Sequence, residues 1–83
     1  MDLWRNKQIA VIGAGNIGRI LLKHLIGAGV PAPHLVVCDS DAARSQGTAA
    51  EFGVRVASLN DDAVYHADVL LLAVSPKSVI DVL

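Results

Sequence analysis

The chain has 83 residues, one cysteine and a formal net charge of −1, with 53% hydrophobic and 18% charged residues. That size allows one small domain, burying a little over roughly 60% of its unfolded surface, and a single cysteine excludes an internal disulfide framework. Balanced charge with no basic run argues against nucleic acid or an anionic membrane surface as partners.

The first seven residues lack the long apolar stretch of a signal peptide. The longest apolar run, residues 69–74, is too short to cross a bilayer. A cytoplasmic protein is expected. Trp4, Phe52 and Tyr65 are the only aromatics, so the core must be aliphatic, which suits strands buried on both faces.

Residues 8–12 read as a short buried strand that ends at a cluster of glycines. From residue 16 to 26 the apolar period changes, and Ile17, Ile20, Leu21 and Leu25 fall at helical spacing. Gly27 and Gly29 are expected to stop this helix, and Pro31 and Pro33 to keep the connection non-helical. Residues 35–38 form a second strand. Ser40 is placed to cap the next helix, with Asp41 in its first turn, where the helix dipole favours a negative charge.

That helix runs to about Phe52 and ends at Gly53. Gly47 in its interior has no evident purpose and costs about 1 kcal/mol relative to alanine. Residues 54–56 form a short strand. Asn60, with Asp61 and Asp62, opens a brief helix or turn. Residues 69–74 form the most apolar strand, expected to pair with the first, and Ser75-Pro76 reads as the cap and first position of a further helix.

Strands alternating with helices imply an α/β fold, a parallel sheet with right-handed crossovers and helices on both faces. Opened by a glycine-marked turn, this is the first half of a Rossmann-type dinucleotide-binding domain, strand order 3-2-1-4.

The stretch "VIGAGNIGR" (11–19) places Gly13, Gly15 and Gly18 directly behind the first strand. A G-x-G-x-x-G run is weak evidence by itself. Here it follows a strand, opens a helix, and has Asp39 at the end of the second strand about 20 residues on. Gly13 then permits the tight turn, Gly15 lets a pyrophosphate approach the backbone, and Gly18 lets the helix sit close to the strand. The amides at the helix start, aided by its dipole, point at the phosphates.

The runs Gly13-Ala14-Gly15-Asn16-Ile17-Gly18 and Phe52-Gly53-Val54, then Asn60, then Ala67-Asp68-Val69 through Ala73-Val74-Ser75-Pro76, resemble the amino-terminal domain of pyrroline-5-carboxylate reductase. The resemblance covers residues 9–83. It implies an NAD(P)H-dependent oxidoreductase that reduces the imine to L-proline in proline biosynthesis. It also implies cofactor contacts at Ile12, Gly13, Ala14, Gly15, Asn16 and Ile17, at Ser40, at Asn60 near the adenosine, and at Ala73, Val74, Ser75 and Pro76 beside the nicotinamide ribose. The family usually carries lysine between valine and proline, where this chain has Ser75.

The resemblance further implies that substrate is held by a carboxy-terminal domain that also forms the homo-oligomer. Residues 1–83 are accordingly expected to be a single truncated cofactor-binding domain, inactive alone. Two other readings stand beside it. One is another small NAD(P)-dependent reductase, such as the coenzyme F420-linked or prephenate dehydrogenase relatives. The other is a stand-alone nucleotide-sensing module, comparable to the ligand-binding domains of potassium-channel regulators.

Asp39 either accepts hydrogen bonds from the adenosine ribose or serves as a helix-start or loop charge. Ser40 is a cap, a phosphate ligand or both. Arg44 is a surface residue or the cation that meets a 2′-phosphate. Asp39 and Asp41 around the ribose position lean the cofactor towards NAD over NADP, since a carboxylate accepts from hydroxyls and repels a phosphate. His24, His34 and His66 show no metal-ligand spacing with Cys38 or one another. Cys38 reads as an inert core thiol, and nothing adjacent would tune Tyr65 as an acid. No catalytic constellation is present in the sequence, and hydride chemistry asks little of a cofactor domain beyond placing the nicotinamide, since the cofactor carries the reaction.

Overall fold

A computed structural model of the chain describes residues 6–58, 64 and 66–73. Four strands and two α-helices alternate: β1 (Ile9–Ile12), α1 (Asn16–Gly27), β2 (Leu35–Cys38), α2 (Ala42–Phe52), β3 (Arg55–Val56) and β4 (Val69–Leu72). The sheet is parallel throughout, in the order β3-β2-β1-β4. This is the order expected of a half-Rossmann sheet.

β1 and β2 are buried along their whole length, as the unbroken Ile-Ala-Val-Ile and Leu-Val-Val-Cys runs demand. Alternate residues serve opposite faces. Ile9, Val11, Leu35 and Val37 join Leu22 and Leu25 of α1 and Ala49 of α2 in one core cluster. Ala10, Ile12, Val36 and Cys38 pack with Val64, Ala57 and Ala67 on the other face. The brief helix expected from Asn60 and the helix expected from Ser75-Pro76 fall largely or wholly outside the described residues.

Register at the amino-terminal edge is fixed by Gln8. Its amide donates to Asp68 Oδ2 at 2.8 Å, and its carbonyl accepts from the amides of Asp68 and Val69 at 2.7 and 3.2 Å. Its side-chain oxygen accepts from Arg55 at 3.0 Å. One residue thus ties β1 to the starts of both β4 and β3.

α1 ends at Gly27 and the chain turns at Gly29, where φ is +100°, as the two glycines suggested. Local structure departs from expectation in three places. Residues Ala32–His34 form a 3-10 turn rather than a non-helical connection, because the φ that proline enforces also suits such a turn. Asp41, not Ser40, caps α2: its side chain accepts from the Arg44 amide at 3.1 Å. Finally, the buried side of α1 is Gly18, Leu22 and Leu25, while Ile17 and Ile20 turn outward, 60% and 54% exposed. The three-four spacing ran through both sets, and packing chose the one that includes the glycine.

The two interior helical glycines differ in kind. A Cβ built on Gly18 would overlap the Gly13 carbonyl oxygen, whereas one on Gly47 meets nothing within 4 Å. Gly18→Ala is therefore expected to lower the melting temperature sharply or prevent folding, since backbone must move. Gly47→Ala, on an exposed face of α2, is expected to stabilise by about 1 kcal/mol, raising the midpoint by roughly 4–8 °C in a thermal melt.

Candidate dinucleotide-binding site

In a parallel sheet the loops after β1, β2 and β4 emerge at one edge, which is where ligands bind in open α/β folds. That edge carries every described candidate: the glycine loop after β1, Asp39 and Ser40 after β2, and Ala73 after β4. Asn60, Val74, Ser75 and Pro76 lie outside the described residues.

Gly13 takes φ +109°, a conformation open to glycine and strained for other residues. Its amide donates to the Cys38 carbonyl at 2.7 Å, carrying the β1–β2 pairing one residue past the strands. The Ile12 carbonyl accepts from the Ala73 amide at 2.7 Å, which does the same between β1 and β4. Ile12 itself is buried, its side chain in the second core face. Gly18 then seats the first turn of α1 against the Gly13 carbonyl, with the Ala73 Cβ beside it.

Gly15 differs from its two neighbours in the motif. Its φ of −80° is ordinary for any residue, it sits at the N-cap of α1, and a Cβ there would meet nothing within 4 Å. Nothing in the fold requires glycine at this position. No side chain caps the helix start, and its first turn carries no acid, so the positive end of the α1 dipole faces open space above Gly15. Asn16 and Ile17, both exposed, flank that space.

Ala14 between these glycines is buried and held on both sides. Its amide donates to Asp39 Oδ2 at 2.8 Å, and its carbonyl accepts from the Thr48 hydroxyl at 3.2 Å. The other oxygen of Asp39 accepts from the Asp41 amide at 2.8 Å, and the Ser40 hydroxyl lies 3.5 Å from it. Arg44 approaches Asp39 Oδ2 at 3.7 Å, because a side chain one turn into a helix leans back towards its N-terminus. Arg44, half exposed, is therefore both a surface residue and the cation beside Asp39.

Thr48 carried no signal in the motif, although one was available. Ser45, Thr48 and Ala49 form the buried side of α2, and an inward hydroxyl needs a partner. Ser45 finds its own within the helix, at the Ala42 carbonyl. Thr48 reaches across to the glycine loop. Among the described residues no cluster of His, Cys, Asp or Glu could hold a metal ion, and no helix is long and apolar enough to cross a membrane. A shallow depression on α1, lined by Ile20, Lys23, His24, Gly27 and Ala28, lies towards the other end of that helix.

The Asp39 side chain is only 9% exposed. Burial is the largest influence on its pKa and pushes it up. The Ala14 and Asp41 amides, Arg44 and Ser40 together outweigh that and hold it below the usual 3.8. A carboxyl lowered in this way stabilises the folded form while ionised, fully above its ordinary pKa, and the contribution is lost as pH falls through the lowered value. Asp39→Asn is expected to lower the melting temperature at pH 7, with the gap to the unmodified protein closing as pH falls below about 4.

Residues 8–83 match the model of the family described as NADP oxidoreductase, coenzyme F420-dependent. The chain is 38% identical over 77 residues to the pyrroline-5-carboxylate reductase of Vibrio alginolyticus, covering 93% of this chain and 28% of that protein. It is 42% identical over 77 residues to that of Pasteurella multocida, covering 88% and 28%. A solved pyrroline-5-carboxylate reductase from Coxiella burnetii superposes with a TM-score of 0.77 at 27% identity, over 92% of this chain and 28% of that one. The chain thus spans little more than a quarter of the length of these relatives. With a parallel 3-2-1-4 sheet and a glycine turn that opens α1 directly behind β1, it belongs to the coenzyme F420-dependent NADP oxidoreductase family.

Proposed function

We propose that this chain is the dinucleotide-binding domain of a pyrroline-5-carboxylate reductase-like oxidoreductase. The observation that carries the reading is Gly15, a glycine at an N-cap where neither backbone angle nor packing asks for one. The space that a side chain would take there lies over an uncapped helix start. A pyrophosphate fits both features: it is an anion, and it needs close approach to backbone amides.

In this reading Gly13, Ala14, Gly15, Asn16, Ile17 and Gly18 form the phosphate cradle, with Ile12 supporting it from the end of β1. Asp39 and Ser40 face the adenosine ribose, and Asn60 lies near the adenosine. Ala73, Val74, Ser75 and Pro76 line the nicotinamide side. When bound, the nicotinamide supplies the hydride. The chain's own residues hold the two phosphates and orient the ribose, and among the described residues no cluster could hold a metal ion.

In the full-length protein the substrate is a small cyclic imine reduced to an amino acid, L-proline, in proline biosynthesis. A further domain holds it and forms the homo-oligomer, so residues 1–83 alone are inactive. The location is the cytoplasm, with neither nucleic acid nor membrane as a partner.

The cofactor preference is for NAD(H). Asp39 and Asp41 place two carboxylates near the ribose position against the one guanidinium of Arg44. Asp39 spends an oxygen on each of two amides, yet a carboxylate has further lone pairs for ribose hydroxyls. Its charge also opposes a 2′-phosphate.

Two titrations test these statements. Gly15→Val is expected to weaken binding of both NADH and NADPH at least about tenfold, with less effect on folding than on binding; unchanged affinity for both would sink the cradle. Unmodified protein is expected to bind NADH more tightly than NADPH. Arg44→Ala should widen that difference, lowering NADPH affinity by about fivefold or less, as an exposed charge contact does. Tighter binding of NADPH by the unmodified protein would reverse the preference.

A further inference from the structure

We infer that Thr48 is a positioning residue for the phosphate cradle, acting through the Ala14 peptide; the inference rests on the dinucleotide reading above. Ala14 lies between Gly13, whose φ is fixed in glycine-only space, and Gly15, over which the ligand would sit. The Ala14–Gly15 peptide contributes the carbonyl of Ala14 and the amide of Gly15 to one rigid plane. Whatever fixes that carbonyl also fixes where the Gly15 amide points. In this fold the fixing group is the Thr48 hydroxyl, 3.2 Å from the Ala14 oxygen and buried, from a helix 34 positions further along the chain.

The geometry has a reason to be specific. Asp39 holds the preceding peptide plane through the Ala14 amide, and Thr48 holds the following one through the carbonyl. The two contacts come from β2 and α2, so the loop after β1 is oriented by its neighbours rather than by its own residues. With the Thr48 contact removed, the Ala14–Gly15 plane is free to rotate while the Asp39 contact stays intact. Such a loop folds, but its amide no longer aims at the ligand at no cost. Thr48 is 4% exposed and shielded by the loop it holds, so it touches no cofactor itself.

The test compares Thr48→Val, which keeps the shape and removes the hydroxyl, with Thr48→Ser, which restores the hydroxyl. Val54→Ala is the control, a buried core residue beyond the carboxy-terminal end of α2 whose apolar side chain can make no hydrogen bond to the loop. Each variant is titrated with NADH and NADPH, melted, and followed by amide hydrogen exchange across residues 12–18 in the absence of cofactor. Thr48→Val is expected to weaken both cofactors about fivefold, the scale of one neutral hydrogen bond, and to raise exchange at Gly15. Thr48→Ser should return most of the affinity, and Val54→Ala should lower the melting temperature with affinity intact.

Affinity unchanged in Thr48→Val overturns the inference and leaves the dinucleotide reading standing. So does an equal loss in Val54→Ala, which would mean general loosening, or a Thr48→Ser as weak as Thr48→Val. Failure of the unmodified protein to bind either cofactor is a separate result, and it removes the dinucleotide reading and the inference together.

Discussion

The structure depends on one contact, the Gly13 carbonyl lying where any side chain at residue 18 would be. Strand and helix meet there with no side chain between them. That proximity lets α1 begin within four residues of the end of β1, over the carboxyl edge of the sheet. It also brings Ala73, at the end of β4, beside the same turn. The direction of α1, the seat of β4 and the opening over Gly15 all follow from how closely two backbone segments approach.

Around that contact the packing is aliphatic and two-sided. β1 and β2 give up both faces to burial, so their side chains must be apolar and branched or small, and the Ile, Val, Ala and Cys found there meet that demand. Among the described residues, polar side-chain contacts gather at the two ends of the sheet. At the amino end Gln8, Asp68 and Arg55 set register. At the carboxyl end Asp39, Arg44 and Thr48 hold the glycine loop. The Arg19–Glu51 pair between α1 and α2, at 2.7 Å, is nearly half exposed on both sides and adds little to this frame.

The strands, their order and the separate uses of Gly13 and Gly18 were legible in the sequence because each follows from local rules: unbroken apolar runs, a glycine-marked turn, alternation of strand with helix. What was not legible depended on neighbours distant in the chain. Ile17 and Ile20 have the same spacing as Leu22 and Leu25, and only the approach of Gly18 to β1 decides which set turns inward. Ser40 and Asp41 are both good caps. The choice falls to Asp41 because Asp39 takes its amide and directs the Ser40 hydroxyl to itself. Arg44 and Thr48 belong to the loop's surroundings only once α2 is laid beside α1, which no single-segment pattern encodes.

The Gln8–Asp68 link has a kinetic consequence. Pairing β1 with β2 closes a loop of 26 residues, from Ile9 to Leu35, whereas pairing β1 with β4 joins positions 60 apart. Loop closure entropy makes the second about 0.7 kcal/mol more costly, and contacts between distant positions are slow to form. The glycine turn and α1 therefore lie within the segment whose closure costs less entropy. Since Ala73 rides on β4, the two walls of the cleft close loops of different length, the shorter one for the wall built around the glycines and the longer one for the wall next to Ala73.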